Sequence, residues 1–508
     1  MSDRGPAGAA AGEPAGQAIG EAAAATAAEL ARRLASGEVG SVELLDHLLD
    51  RIGRIDPSLG AVCTLDVDRA RERARVADEA TARGERWGPL HGLPMTIKDV
   101  WETDGLLTTC GDPALRHHVP ARDATAVARL RAAGAVVFAK TNVPIQAGDN
   151  QTFNELFGTT ANPWDTSRTP GGSSGGAAAA LAAGLTPLEL GSDIGGSIRM
   201  PASLCGVYGL KPSWGVVPLL GHIPGPPGSL VGTDVNCGGP MARSVDDLEL
   251  ALDVLAGPED DDAVAWRLEL PPASDLRAGP EGLRVSVCVD DDRYPVSVEV
   301  RDVVLALADR LEAAGARVER APLPVPVREG ARAWTHLVVA HSGEGLDDRT
   351  WEEFRDLAAG ADPDDPESDA LRALVSSHRE RRQWDQRRQE QRRAWARHFE
   401  DVDVVLAPAV QVPAFPHDHE RPIPFRSMTY RTVDGERSFP HLDLSAWCGA
   451  VGAGLLPVVT LPAGFTPAGL PVGVQVVGPW LRDRATLAAA RAVDSVGPGF
   501  VAPPVGRA

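Results

Sequence analysis

"DATAVARLRAAGAVVFAK", residues 123–140, carries the pattern that decides the fold. Asp123 is a residue type that caps helix N-termini, and Val127 and Leu130 stand three apart, as on one helix face. Gly134 ends the helical pattern, and the run that follows, Ala135–Lys140, is apolar and of strand length. The same order returns later. "LRVSVCV" (283–289) reads as a strand. Val300, Val303, Val304, Leu307, Leu311 and Ala314 then recur at helical spacing, Gly315 stops them, and "ARVERA" (316–321) is strand-like again. "DVDVVLAP" (401–408) adds a further strand. Such alternation predicts an α/β protein whose sheet is covered by helices.

Working outward, Leu371–Glu400 is dense in Arg, Glu and Gln with Trp384, Trp395 and Phe399 between them. It predicts one long helix that packs its aromatics on the body. Ala256–Val264 and Ala359–Asp369 read as acidic loops. No internal repeat and no separating linker is evident, so 508 residues form one large domain with a variable middle section. Residues 1–20, rich in Ala, Gly, Glu and Pro with no apolar signal core, are expected to be a disordered tail. No run of 18 strongly apolar residues predicts a membrane span, and the cytoplasm is the expected compartment.

The net charge of −20 favours solubility and argues against a nucleic-acid partner, which needs a basic face. Six cysteines are scattered without a CxxC pair or zinc-type spacing, so buried free thiols and no metal are expected.

"TPGGSSGGAAAALAAGLTPLELGSDIGGSIRMPAS" (169–203) places two Gly–Ser clusters close together. Neither has the lysine of a P-loop or the glycine order of a dinucleotide turn. In the second, Gly195 and Gly196 precede Ser197. Glycines let a chain turn tightly and let a substrate approach the backbone. Successive N–H groups in such a turn can point at one oxygen, which would make an oxyanion hole with Ser197 as nucleophile. A plain Gly-rich turn is the commoner fate of an isolated GGS. None of the twelve histidines sits in a motif typical of a Ser-His-Asp enzyme. Lys98, at the end of the mostly apolar run Leu93–Ile97, is the other basic option if burial keeps it neutral. A surface lysine at a strand end is the plainer reading.

Five stretches now carry a resemblance. They are "GPLHGLPMTIKD", "ANPWDTSRTPGGSSGGAAAALAAG", "GSDIGGSIRMPASLCGVYGLKPS", "GPMARSVDDLELALDVL" and "GLPVGVQVVGP". The sequence resembles the amidase signature family of serine hydrolases over roughly Ala28–Gly497. The resemblance implies one α/β domain, residues 21–500, with a mixed central β-sheet covered by helices and a variable section around 260–445. It implies a Ser–Ser–Lys triad of Ser197, Ser173 and Lys98, and an oxyanion hole from the backbone N–H groups of Ile194, Gly195, Gly196 and Ser197. It implies a cis Gly172–Ser173 bond. Ser174 is expected to hydrogen-bond within the relay, and Arg199 to pair with Asp193 or another acid and hold the turn, with a substrate contact as the alternative. Ala147 and Gly148, in "TNVPIQAGDNQTF", are expected to line the acyl side and to leave room for a bulky or aromatic group.

The implied activity is hydrolysis of a carboxylic amide through an acyl-serine, with no cofactor, a small-molecule amide as partner, and a homodimer as an open assembly. Two alternatives stand beside it. One is the amidase component of a tRNA-dependent amidotransferase; "WGVVPLLGHIPGPPGSLVGTDVNCGGP" (214–240) departs from the run usual there. The other is a scaffold that keeps the fold without turnover, against which the intact triad argues.

Overall fold

The computed structural model describes residues 25–224, 227–273, 279–342, 346–362 and 366–507. The expected tail at 1–20 lies outside them. Eleven strands form one sheet. From one edge the order is Val62–Leu65, Val136–Thr141, Pro94–Lys98, Glu189–Asp193, Cys237–Ala242, Tyr208–Lys211, Val458–Phe465, Pro471–Val477, Val404–Pro408, Arg284–Val287 and Arg317–Arg320. The sheet is mixed. Pro94–Lys98 runs parallel to both its neighbours, Val136–Thr141 and Glu189–Asp193. The middle of the sheet is antiparallel, and the far edge, where Arg284–Val287 lies between Val404–Pro408 and Arg317–Arg320, is parallel again. Every residue of Pro94–Lys98, Val136–Thr141 and Glu189–Asp193 is buried, as parallel strands covered on both faces require. One core cluster reaches from Ala27 to Val493, so the chain is a single domain.

The opening stretch folds as helix Thr125–Ala132 and strand Val136–Thr141. Asp123 does not cap that helix. Its carboxylate accepts from Arg131 Nη1 at 2.8 Å and from the Asp104 N–H at 2.8 Å, and Ala124 takes the N-cap position without a side-chain bond. The expected long helix at 371–400 is two helices, Pro366–Leu374 and His378–Asp401. The break is chemical: Ser377 and Glu380 form a capping box, with the Ser377 N–H donating to Glu380 Oε2 at 2.7 Å. Trp384 and Trp395 are buried, as expected. Of the two acidic loops, Asp262–Val264 is a single 3₁₀ turn, and 359–369 includes the end of helix Asp348–Gly360 and the start of Pro366–Leu374. Among the described residues no helix is long and apolar enough to cross a membrane, and no cluster of three or more His, Cys, Asp or Glu is arranged to hold a metal.

Candidate active site

The site lies where the parallel strands end. Lys98 is the last residue of its strand and is 0% exposed. The neighbouring strand Glu189–Asp193 leads through the turn at 194–198 into helix Arg199–Cys205. The other turn, at 171–174, precedes helix Gly175–Ala182, whose residues are all Gly, Ala and Leu and all buried. Small side chains allow this helix to sit wholly inside the protein. The Ser174 N–H donates to the Ser197 carbonyl at 3.1 Å and ties the two turns together.

Lys98 Nζ lies in hydrogen-bond contact with Ser173 Oγ at 2.8 Å, with Ser192 Oγ at 3.1 Å and with the Ser192 carbonyl at 3.3 Å. Burial pushes the ammonium down to about 7, although Cys110, Asp193 and Glu189 pull it the other way. Asp99, next in the chain, turns away from this amine. Its carboxylate accepts from the Thr109 hydroxyl at 2.6 Å and lies 4.0 Å from Lys140 Nζ. The Gly172–Ser173 peptide is cis.

Asp193 and Arg199, both 0% exposed, clamp the second turn. Arg199 Nη2 and Nε donate to Asp193 at 2.8 and 2.9 Å, and Nη1 reaches the Cys448 carbonyl and Gln475 Oε1, each at 2.8 Å. Burial would raise the Asp193 carboxyl; the Arg199 guanidinium overrides this and holds it well below the usual carboxylate range. The same carboxylate accepts the N–H groups of Gly196 (2.8 Å), Ile198 (3.1 Å) and Arg199 (3.2 Å). The Gly196 N–H, expected among the oxyanion donors, is therefore committed to Asp193. The N–H groups of Ile194, Gly195 and Ser197 have no acceptor among the described residues. Gly196 has a φ of +116° and a Cβ there would lie 2.9 Å from Cys448, so only glycine fits.

Ser197, 9% exposed, opens onto a cavity of about 320 Å³. Ile194, Gly195, Ala147 and Gly148 line it too. Most of its wall is apolar and comes from elsewhere in the chain, including Tyr294, Trp334, Val338, Ile423 and Leu442. Its charged members, Asp149, Arg293 and Asp443, are paired: Arg293 with Asp443 at 3.1 Å, and Asp149 with Arg426 at 2.8 Å.

Sequence reading did not find Ser192 or Trp334. Ser192 lies inside the stretch 169–203, outside both Gly–Ser clusters, and carried no signal of its own. Trp334 sits in the section expected to vary, on helix Val327–Ser342, and its Nε1 donates to the Ile194 carbonyl at 2.6 Å.

The model of the Amidase family matches residues 43–487. The chain belongs to the amidase signature family. A relative from Roseiflexus sp. (strain RS-1), one of the subunits of glutamyl-tRNA(Gln) amidotransferase, is 36% identical over 463 residues, covering 88% of this chain and 91% of its own. A crystal structure of an amidase superposes with a TM-score of 0.75 at 30% identity, covering 93% of this chain and 100% of that one. A bacterial aryl acylamidase superposes with a TM-score of 0.76 at 26% identity, covering 93% and 96%. As a member of the amidase signature family, the protein is an enzyme that hydrolyses carboxylic amide C–N bonds.

Proposed function

We propose that the protein is a stand-alone amidase for amides with a bulky apolar or aromatic acyl group, and that Ser197, Ser173 and Lys98 carry the reaction. The observation that carries this reading is the buried Lys98–Ser173 bond of 2.8 Å behind the turn that bears Ser197. Lys98 has three neighbours. A neutral amine has two N–H donors and one lone pair. The Ser192 carbonyl can only accept, so it takes one N–H, and Ser192 Oγ takes the other. The lone pair is then left to receive the Ser173 hydroxyl proton.

The steps follow. Lys98 accepts the Ser173 proton as Ser173 accepts that of Ser197. Ser197 Oγ bonds to the amide carbon, and the oxyanion rests on the N–H groups of Ile194, Gly195 and Ser197. The proton returns through Ser173 to the amine nitrogen, and the C–N bond breaks. Water repeats the sequence on the acyl-serine. Ser197 Oγ makes no hydrogen bond to a protein group among the described residues, so its hydroxyl can turn toward Ser173. Asp193 and Arg199 hold the turn, and Ser174 joins it to the relay through its own backbone.

The cavity supports the substrate class. Its wall is apolar beside Ala147 and Gly148, and its charged residues are paired. A zwitterionic amino-acid head would meet charges that already have partners. A second reading, the amidase component of a tRNA-dependent amidotransferase, is favoured by the name of the Roseiflexus relative and would bring a tRNA partner against the expectation from charge. The net charge of −20 and the paired charges weigh for the stand-alone enzyme. The test is amine release by the purified chain from matched alkyl and aryl carboxamides, with glutamine alongside. Aryl or long-chain turnover is expected. Turnover of glutamine alone would transfer the case to the amidotransferase reading.

A further inference from the structure

We infer that Trp334 is a positioning residue of the oxyanion site: its indole N–H fixes the Ile194 carbonyl and, through the planar peptide they share, aims the Gly195 N–H. The inference rests on the reading of Ser197 as nucleophile given above. A peptide unit is rigid, with C=O and N–H on opposite sides. Holding the Ile194 oxygen at 2.6 Å from Trp334 Nε1 therefore sets the direction of the Gly195 hydrogen. Such a clamp is needed here. Gly195 accepts almost any φ, so the 194–195 peptide can flip at little cost unless something outside the turn holds it. The turn's other clamp, Asp193, takes the N–H groups of Gly196, Ile198 and Arg199 and does not touch this peptide.

The ring itself is fixed on two sides. A Cβ on Gly195 would lie 2.5 Å from Trp334 Cζ2, and one on Gly449 would lie 3.0 Å from Cδ2. The indole thus occupies a slot between two glycines, one from the turn and one from helix Ala446–Ala453. Helix Val327–Ser342 can come that close because Gly330 meets Ala450 with no side chain, at a distance where a Cβ would be 2.7 Å from Ala450 Cα. The same ring faces the cavity beside Ala331, Thr335 and Val338. One residue therefore joins the wall that meets the acyl group to the backbone that meets the developing charge.

The test uses Trp334→Phe in the full chain with a matched amide and ester of one aryl acid. Both substrates pass through the same oxyanion. Removing a whole oxyanion donor lowers kcat about 10²–10³-fold, so misaiming one of three N–H groups should lower kcat about 10-fold, by the same factor on both substrates, with KM within about twofold. Affinity for the aryl trifluoromethyl ketone, which forms an oxyanion on serine, should fall by that factor, while affinity for the product carboxylate stays. A higher KM with unchanged kcat would make Trp334 a wall and nothing more. A loss confined to the amide would assign it to the proton relay. Either result overturns the inference. Should the Phe chain fail to fold, Trp334→Met fills the slot without a donor and is expected to give the same equal losses. Fluorophosphonate labelling of the wild-type chain separates the underlying reading: no adduct at Ser197 would remove the nucleophile, whatever Trp334 does.

Discussion

The turns at 171–174 and 194–198 and the wall of the cavity are built on opposite principles. The turns use backbone, small residues and fully buried charge. Lys98, Asp193 and Arg199 are each 0% exposed, and helix Gly175–Ala182 behind them has no residue larger than Leu. The wall uses large apolar side chains drawn from residues 293–446, among them Tyr294, Trp334 and Leu442. A reacting centre needs donors fixed to a fraction of an ångström, which backbone hydrogen bonds supply. A substrate wall needs only shape and apolar surface, which many side chains supply equally well. Changes in the turns should therefore affect chemistry on every substrate, and changes in the wall should affect the choice among substrates.

The largest effect belongs to Ser197→Ala. It should lower kcat about 10⁵-fold or more and remove the fluorophosphonate adduct seen by intact mass. An adduct at another serine in that variant would move the nucleophile and end the comparison as drawn.

Next comes Lys98→Met. Its amide rate should fall by about 10³–10⁴-fold, the upper range of general acid–base catalysis. The loss on a matched activated ester should be smaller, because that leaving group departs without a proton. If Lys98 is the base proposed above, the working form in the parent enzyme is the neutral amine. Since burial sets Lys98 near 7, kcat/KM should rise with pH through about 7 and level off above it. A profile flat from pH 6 to 9 would deny Lys98 the role of base. Stability should move the other way. Keeping a buried amine uncharged at neutral pH takes about 4 kcal/mol relative to a solvated lysine, given its fall to about 7. Met carries no such penalty, so the inactive variant should be more stable by roughly 1–3 kcal/mol once the lost hydrogen bonds are counted.

Much of this contrast was legible in the sequence, but unevenly. The helix–strand alternation around Val127, Leu130 and Ala135–Lys140 gave the α/β class from spacing alone. Lys98, Ser173 and Ser197 each sit in a contiguous motif of their own, and the resemblance named all three. From the residues alone, however, a surface lysine was the plainer reading of Lys98, because burial is a property of the finished sheet. Asp123 looked like a cap because nothing local revealed that Arg131 would claim it. The Gly196 N–H looked available because the reach of Asp193 across three residues depends on a turn that sequence does not specify. Trp334 was invisible for a different reason. It meets Ile194 across 140 positions of chain, with no motif at its own end.

Within the turns, Arg199→Met should act on stability first. It leaves Asp193 charged, buried and short of its bidentate partner. Breaking a buried pair from one side costs about 3–5 kcal/mol. Urea unfolding should show that loss, with activity falling as the Asp193 clamp on the Gly196, Ile198 and Arg199 N–H groups loosens. Replacing both partners, as Asp193→Leu with Arg199→Met, should recover part of the stability and none of the activity. A single variant as stable as the parent would mean the pair is solvated, contrary to its burial.

The smallest effect is expected in the wall. Val338 lines the cavity from helix Val327–Ser342, one turn beyond Trp334. It makes no hydrogen bond with the turns, so a larger residue there changes room and not chemistry. Val338→Phe puts a ring into a space of about 320 Å³. Amides of long or aryl acids, which need that space, should lose about tenfold in kcat/KM, the discrimination an apolar pocket yields for a modest change of fit. Amides of short acids should change by less than about threefold, and labelling of Ser197 by a small fluorophosphonate by less than about twofold, since neither reaches the wall. The ratio between long and short acids is the measured quantity, because an error in active enzyme concentration cancels from it. Equal losses for every acyl length would show that Val338 disturbs the turn through its helix, and the division between a chemical centre and a selecting wall would fail at this residue. Unchanged ratios would place the acyl group on another side of the cavity, away from Trp334 and Val338.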